Sequence, residues 1–279
     1  MIVDAHVHFW DPAELDYPWI EAVPTLRRAF LPGDYTSATA DADASVARLV
    51  AVEANAAPSQ ATREVGFFDR LAAVDSRISA IVAFVPLSNA AARDRVLDSL
   101  REHPRVKGVR QNIQSEPRGF CLHDAFVDGV REVGRRGYTF DLCVTSDQLA
   151  EAITLVERCP DTRFVLDHAG KPRIRDGADP WWHEAIERLA SYERVWCKIS
   201  GLLTEASAAQ GEAAVLPYAC HAVDCFGDER VMYGSDWPVL TLAGSYADWM
   251  GVARSLTMGW TAEAMHRFYC DNATRFYGL

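Results

Sequence analysis

Asp4, His6 and His8 stand two residues apart in the run MIVDAHVHFW. On a strand, residues i and i+2 point to the same side, so this spacing puts both imidazoles on one face. Two polar runs appear much later, Asp167-His168 in DHAGKP and Asp236 in GSDWP. Imidazole and carboxylate together suit a divalent cation such as zinc or manganese. A cation with an open position lowers the pKa of a bound water to roughly 7. Without a cation, the same groups are a general base and acid. A single strand-end histidine is as readily a hydrogen-bonded core residue, so the chemistry rests on His6, His8, His168 and Asp236 in combination. His6 and His8 face inward together only if Val3, Ala5 and Val7 face outward. Asp4 shares the inward parity at greater depth, where a structural hydrogen bond is expected.

These residues need a scaffold, and the chain offers eight apolar, β-branched runs: 2–9, 49–55, 78–87, 106–113, 138–144, 164–170, 195–201 and 231–238. Near-continuous hydrophobic strands of this kind are buried on both faces, as in a parallel sheet. Helical periodicity lies between them, over 60–74, 90–102, 124–136, 147–158, 180–191, 208–226, 246–257 and 261–270. Asn89 and Asp179-Pro180 read as helix starts, and Gly137 as a helix stop. Eight alternations predict an α/β fold, a (β/α)8 TIM barrel forming a single domain over 1–279. Residues 10–45, after strand 1, are rich in Pro and aromatics and read as a long loop that could serve as a lid.

Barrel active sites lie at the C-terminal ends of the strands. Polar residues gather there: Glu53 and Asn55 on strand 2, Arg110, Gln111 and Asn112 on strand 4, Asp141 on strand 5, Lys198 and Ser200 on strand 7. Glu53, Gln111 and Asp141 suit substrate hydroxyls. Arg110 could grip a carbonyl or carboxylate, or pair with Glu53 or Asp141. Lys171 and Lys198 are open between contact and structure. Trp19, Phe30, His123 and Trp237 could line the site. His103, His183, His221 and His266 fall in helical stretches and are expected at the surface.

Composition narrows the function. Lys plus Arg number 28 against 39 Asp plus Glu, a net charge of −11. An acidic chain without a basic run is a poor nucleic-acid binder. No apolar stretch is long enough to span a membrane, and the start lacks the charged and apolar regions of a signal peptide, so a cytoplasmic protein is expected. The seven cysteines are scattered without a CxxC, which suits reduced thiols. No heptad or patch that would set an oligomeric state is legible.

The runs DAHVHFWDP, KGVRQNIQ, DHAGKP, YGSDWPV and NATRFYGL together resemble the amidohydrolase superfamily. Within it they are similar to the sugar-lactone and dicarboxylate-lactone hydrolases, most of all to the L-fuconolactonase and L-rhamnono-lactonase type. The resemblance covers essentially the whole chain. It implies that His6, His8, His168 and Asp236 match the family's metal and catalytic positions. It also implies at most one divalent metal, expected to be zinc and not required in all relatives, because Arg110 stands where two-metal members carry a bridging ligand. The implied substrate is a small aldonolactone such as L-fuconolactone, opened to the aldonic acid. Asp236 would act as general base. The carbonyl would be polarised by zinc on His6 and His8, or by His168 with Arg110 if no metal is bound. The alternatives are a dicarboxylate-lactone hydrolase, for which Arg27, Arg28, Arg173 or Arg175 would have to reach the site, a superfamily decarboxylase, and a sugar-binding barrel without turnover.

Overall fold

The eight β-branched runs all form strands, and all are parallel. The computed structural model describes residues 1–177, 179–207 and 209–279. The strands are β1 (Ile2–Val7), β2 (Val46–Val52), β3 (Ile78–Phe84), β4 (Val106–Arg110), β5 (Thr139–Leu142), β6 (Phe164–Leu166), β7 (Val195–Ile199) and β8 (Val231–Tyr233). They hydrogen-bond in chain order. Just past β8 the chain returns to β1: the Asp236 amide donates to His6 O at 2.9 Å, and the His8 amide to Trp237 O at 2.7 Å. These two bonds nearly close the barrel.

Helices cover the outside: α1 (Pro32–Asp41), α2 (Ala61–Val74), α3 (Ala90–Ser99), α4 (Asp124–Arg135), α5 (Leu149–Arg158), α6 (Pro180–Ala190), α7 (Gly211–Phe226) and α8 (Tyr246–Leu256). The helix expected over 208–226 begins at Gly211, and residue 208 lies outside the described residues. The expected starts hold. Asn89 accepts from the Ala92 amide at 3.1 Å, and Asp179 from the Trp182 amide at 3.2 Å. The helix expected over 261–270 is a composite of α9 (Ala262–His266), a π turn (Arg267–Asp271) and α10 (Asn272–Tyr277). Among the described residues, no helix is long and apolar enough to cross a membrane.

Two expectations change. Residues 10–45 are not one open loop: they hold α1, and Trp10 bridges Phe30 in an antiparallel pair. Trp10, Tyr17, Ile20, Leu26, Phe30 and Tyr35 are buried, so aromatic packing makes this segment a fixed wall. The strict alternation of β1 also fails. Val3 and Ala5 pack inside the barrel with Val50, Val52, Ala80, Val82 and Val165, whereas Val7 joins the helix-side core. A register irregularity between Asp4 and Val7 switches the parity, so His6 and His8 face inward although Val3 and Ala5 do too. Asp4 points the other way, accepting from Tyr35 Oη of α1 at 2.8 Å and from Tyr246 Oη of α8 at 3.1 Å.

The seam is tight at Gly234. A Cβ there would fall 2.9 Å from His6 Cβ and 3.1 Å from Ser200 Cβ. Gly234→Ala is therefore expected to destabilise the fold by about 1–3 kcal/mol through overpacking. The measurement is a lower urea midpoint; an unchanged midpoint would show that the seam has slack.

Candidate active site

At the C-terminal end of the barrel, four donor atoms converge. His6 Nε2 lies 3.1 Å from His8 Nε2. Asp236 Oδ1 lies 3.7 Å from His6 Nε2, 3.4 Å from His8 Nε2 and 3.9 Å from His168 Nε2. Each imidazole is held by its other nitrogen. His8 Nδ1 meets Val52 O at 2.9 Å, His168 Nδ1 meets Ser200 Oγ at 2.9 Å, and His6 Nδ1 lies 3.3 Å from Asp167 Oδ1. With the protons on Nδ1, three Nε2 lone pairs face one carboxylate oxygen.

The backbone that presents these groups is unusual. His168, Ala169, Gly170 and Lys171 have φ of 55°, 48°, 71° and 49°, a full left-handed turn, and Asp236 has φ 62°. For residues other than glycine this costs about 1–2 kcal/mol each, and such strain gathers at functional sites. Gly201 makes room for the arrangement, since a Cβ there would lie 2.5 Å from His168 Nδ1 and 3.0 Å from Asp236 Oδ2.

Beneath these residues lies a buried ionic network. Arg110 Nε donates to Glu53 Oε1 at 2.5 Å, Nη2 to Glu53 O at 2.7 Å and Nη1 to Asp167 Oδ2 at 3.2 Å. Lys198 Nζ lies 2.5 Å from Asp141 Oδ2, 3.0 Å from Asp167 Oδ1 and 3.1 Å from His6 Nδ1. Tyr277 Oη of α10 donates to Asp141 Oδ2 at 2.8 Å. Two cations thus face Glu53, Asp141, Asp167 and, above them, Asp236.

These surroundings set the protonation states. Burial, aided by Lys198, drives the His6 imidazole well below its ordinary value. Burial pushes His168 down to about 4, with Asp236 opposing. Burial alone would raise Asp236, but its attraction to His168, His8 and His6 outweighs it and holds the carboxyl below the usual range. Both histidines are therefore neutral at pH 7 and Asp236 is ionised. Burial raises Asp141 to about 6 against the pull of Lys198, and burial with the Glu53 carboxylate raises Glu64 to about 8.

A cavity of about 260 Å³ opens above Asp236, lined by His8, Trp19, Asn55, Arg110, Asn112, Gln114, Cys143, His168 and Lys171 among others. A larger cavity of about 830 Å³, between Met1, Met250 and Trp260, holds none of the residues expected to act. Of those residues, the 260 Å³ pocket brings together His8, Trp19, Arg110, His168 and Asp236, with His6 just below.

The others sit elsewhere. Asp141 and Lys198, expected as substrate contacts, are fully enclosed and paired to each other, so they build the floor instead. Glu53 is buried against Arg110 and the Asn55 amide. Gln111 accepts from the Leu87 amide at 2.8 Å. Phe30 and Trp237 pack edge-on with centroids 5.6 Å apart, behind the pocket wall. His123 is exposed at the start of α4. Arg27, Arg28 and Arg173 pair with Glu21, Asp34 and Asp147, and none of them, nor Arg175, lines the pocket. Gln114, Ser115, Cys143 and Val239 line it without having been expected. Gln114 and Ser115 come from the irregular stretch after β4, Cys143 falls within the run expected as strand 5, and Val239 opens a short 3-10 turn.

A family model described as Amidohydrolase matches residues 3–279. The chain is 35% identical to an L-fucono-1,5-lactonase of Burkholderia multivorans, with 99% of this chain and 96% of that protein covered. It is 31% identical to an L-fucono-1,5-lactonase of Burkholderia ambifaria, covering 99% and 95%. A crystal structure of an amidohydrolase from B. multivorans with bound zinc superposes with a TM-score of 0.87 at 31% identity, over 100% of this chain and 99% of that one. On the match over nearly its whole length, the chain belongs to the amidohydrolase family.

Proposed function

We propose that the protein hydrolyses a monosaccharide-sized lactone, an aldonolactone of the L-fucono-1,5-lactone kind, to the aldonic acid. The observation that carries this reading is the Asp236 carboxylate set among three imidazoles at the base of a small pocket. Relatives at 31–35% identity that bear the L-fuconolactonase name support the substrate class. The volume of about 260 Å³ falls just under the roughly 300–1,000 Å³ of drug-sized sites, which suits one sugar ring. Asn55, Asn112, Gln114 and Ser115 offer amide and hydroxyl partners for sugar hydroxyls. A dicarboxylate would need converging cations, but Arg110 has its donors occupied by Glu53 and Asp167.

The donor set fits a divalent cation. Asp236 Oδ1 lies 3.4–3.9 Å from all three Nε2 atoms, and His6, His168 and Asp236 present ligand atoms within 4.8 Å of one another, a donor set of the kind that holds such an ion. Two buried cations against four carboxylates leave negative charge for that ion to balance. His6, His8, His168 and Asp236 would hold it, and when bound it supplies Lewis acidity at this point.

The chain's own residues carry the proton. Asp236 accepts a proton from water as the water oxygen bonds to the acyl carbon. It returns that proton to the ring oxygen as the acyl–oxygen bond breaks. His168, fixed through Nδ1 by Ser200, keeps its Nε2 toward the carboxylate.

Three measurements test this reading. Purified protein offered a panel of aldonolactones should release acid, followed with a pH indicator, well above the spontaneous rate, and should release no CO2. No acid release across the panel would overturn the proposal. Asp236→Asn should retain the fold by circular dichroism and lose about 10²–10⁴-fold in kcat/KM; activity within a few-fold of wild type would remove Asp236 from the role of base. Calorimetric titration with zinc should give one equivalent per chain, and His8→Ala should abolish it; equal binding by the variant would place the ion elsewhere.

A further inference from the structure

The buried network makes most of the barrel's cations unavailable to a ligand. Arg110 touches the pocket, but each of its nitrogens already meets Glu53, Asp167 or His6. Lys198 is enclosed below. Lys171 differs. It lines the pocket beside His168 and Asp236, and its nearest carboxylate, Glu205, is 3.7 Å from Nζ, too far for a good direct hydrogen bond. Glu205 thus steadies the ammonium by charge, and the side chain borders the cavity. Burial works against the Lys171 charge, but Cys143, Glu205 and Asp236 together hold its pKa above the ordinary value, so the group is cationic at neutral pH.

The backbone points the same way. The left-handed turn that delivers His168 ends on Lys171, and the Lys171 amide closes it by donating to His168 O at 2.9 Å. Of its four residues only Gly170 adopts this conformation without strain. A turn so costly, carrying one residue of the donor set and one cation to the same cavity, positions both relative to each other.

We propose that Lys171 is the group that binds the acyl oxygen of the substrate. It donates to the lactone carbonyl, to the oxyanion as water adds, and to the carboxylate of the product, without giving up a proton. The assignment rests on the lactone reading above. It replaces Arg110 as the cation that touches substrate. With a single such cation, the site recognises one acyl group on an otherwise neutral polyol.

The test compares Lys171→Met, close in length but uncharged, with wild type and Lys171→Arg. Two inhibitors are used, an aldonate and the alditol of the same chain length, which differ only at the acyl carbon. Wild type should bind the aldonate about 10-fold or more tighter than the alditol, as a charge-assisted hydrogen bond predicts. Lys171→Met should lose that preference while keeping its alditol affinity, and should lose roughly 10²-fold in kcat/KM. Lys171→Arg should restore part of the preference. If wild type shows no preference, if Lys171→Met keeps it, or if Lys171→Met weakens both inhibitors alike, the assignment is overturned. Wild type that opens no lactone would instead defeat the underlying lactone reading, whereas active wild type matched by an equally active Lys171→Met defeats the Lys171 assignment alone.

Discussion

Two backbone hydrogen bonds at the seam of the barrel govern the site. The Asp236 amide binds His6 O, and the His8 amide binds Trp237 O. The residues that close the sheet are thus the same ones whose side chains meet at the pocket floor. Their relative position is set by ladder geometry, which is stiffer than any side-chain contact. Asp4 locks the seam from behind. Its Oδ1 accepts from the Ser235 amide at 2.8 Å and the His6 amide at 3.3 Å, while Oδ2 accepts from Tyr35 and Tyr246. A buried carboxylate satisfied by four donors is stable where an unpaired one would not be. Through it the strand junction is tied to α1 and α8.

Below the seam, the ionic layer of Glu53, Arg110, Asp141, Asp167 and Lys198 keeps charged groups out of water by pairing them with one another. Breaking such a pair strands a charge, so the layer is rigid. Rigidity has a functional side. His6 is fixed between Asp167 and Lys198 and stays neutral, and Asp236 lies below the usual carboxyl range beside three imidazoles. The floor therefore defines the protonation states of the groups above it.

Much of the architecture is legible in the sequence because parallel strands buried on both faces leave unbroken apolar runs, and the helices between them carry clear caps such as Asn89 and Asp179. The residues His6, His8, His168 and Asp236 stand out because polar groups at the ends of such runs are conspicuous. What the pattern does not carry is local irregularity and depth. The parity switch within β1 leaves no mark on composition, so Asp4 and Ala5 were expected on the wrong sides. Asp141 and Lys198 lie on inward-facing positions like Arg110, but they sit lower, and depth along a strand end is set by barrel stagger rather than residue type. Gln114 lies just past the expected strand 4 and Cys143 inside the expected strand 5, and neither residue type signals that it borders the pocket.

The composite helix at the far end of the sequence has a consequence for how the molecule comes into being. Tyr277 reaches through the base of the barrel to Asp141, and β8 must arrive before His6 and His8 gain their partners. A growing polypeptide emerges from its N-terminus onward. The two histidines of β1 are separated from Asp236 by almost the whole barrel, and they face it only once β8 is in place. Contacts so distant along the sequence form late. Closure of the barrel is thus the event that completes the site, and without β8 the two imidazoles lack the carboxylate they face.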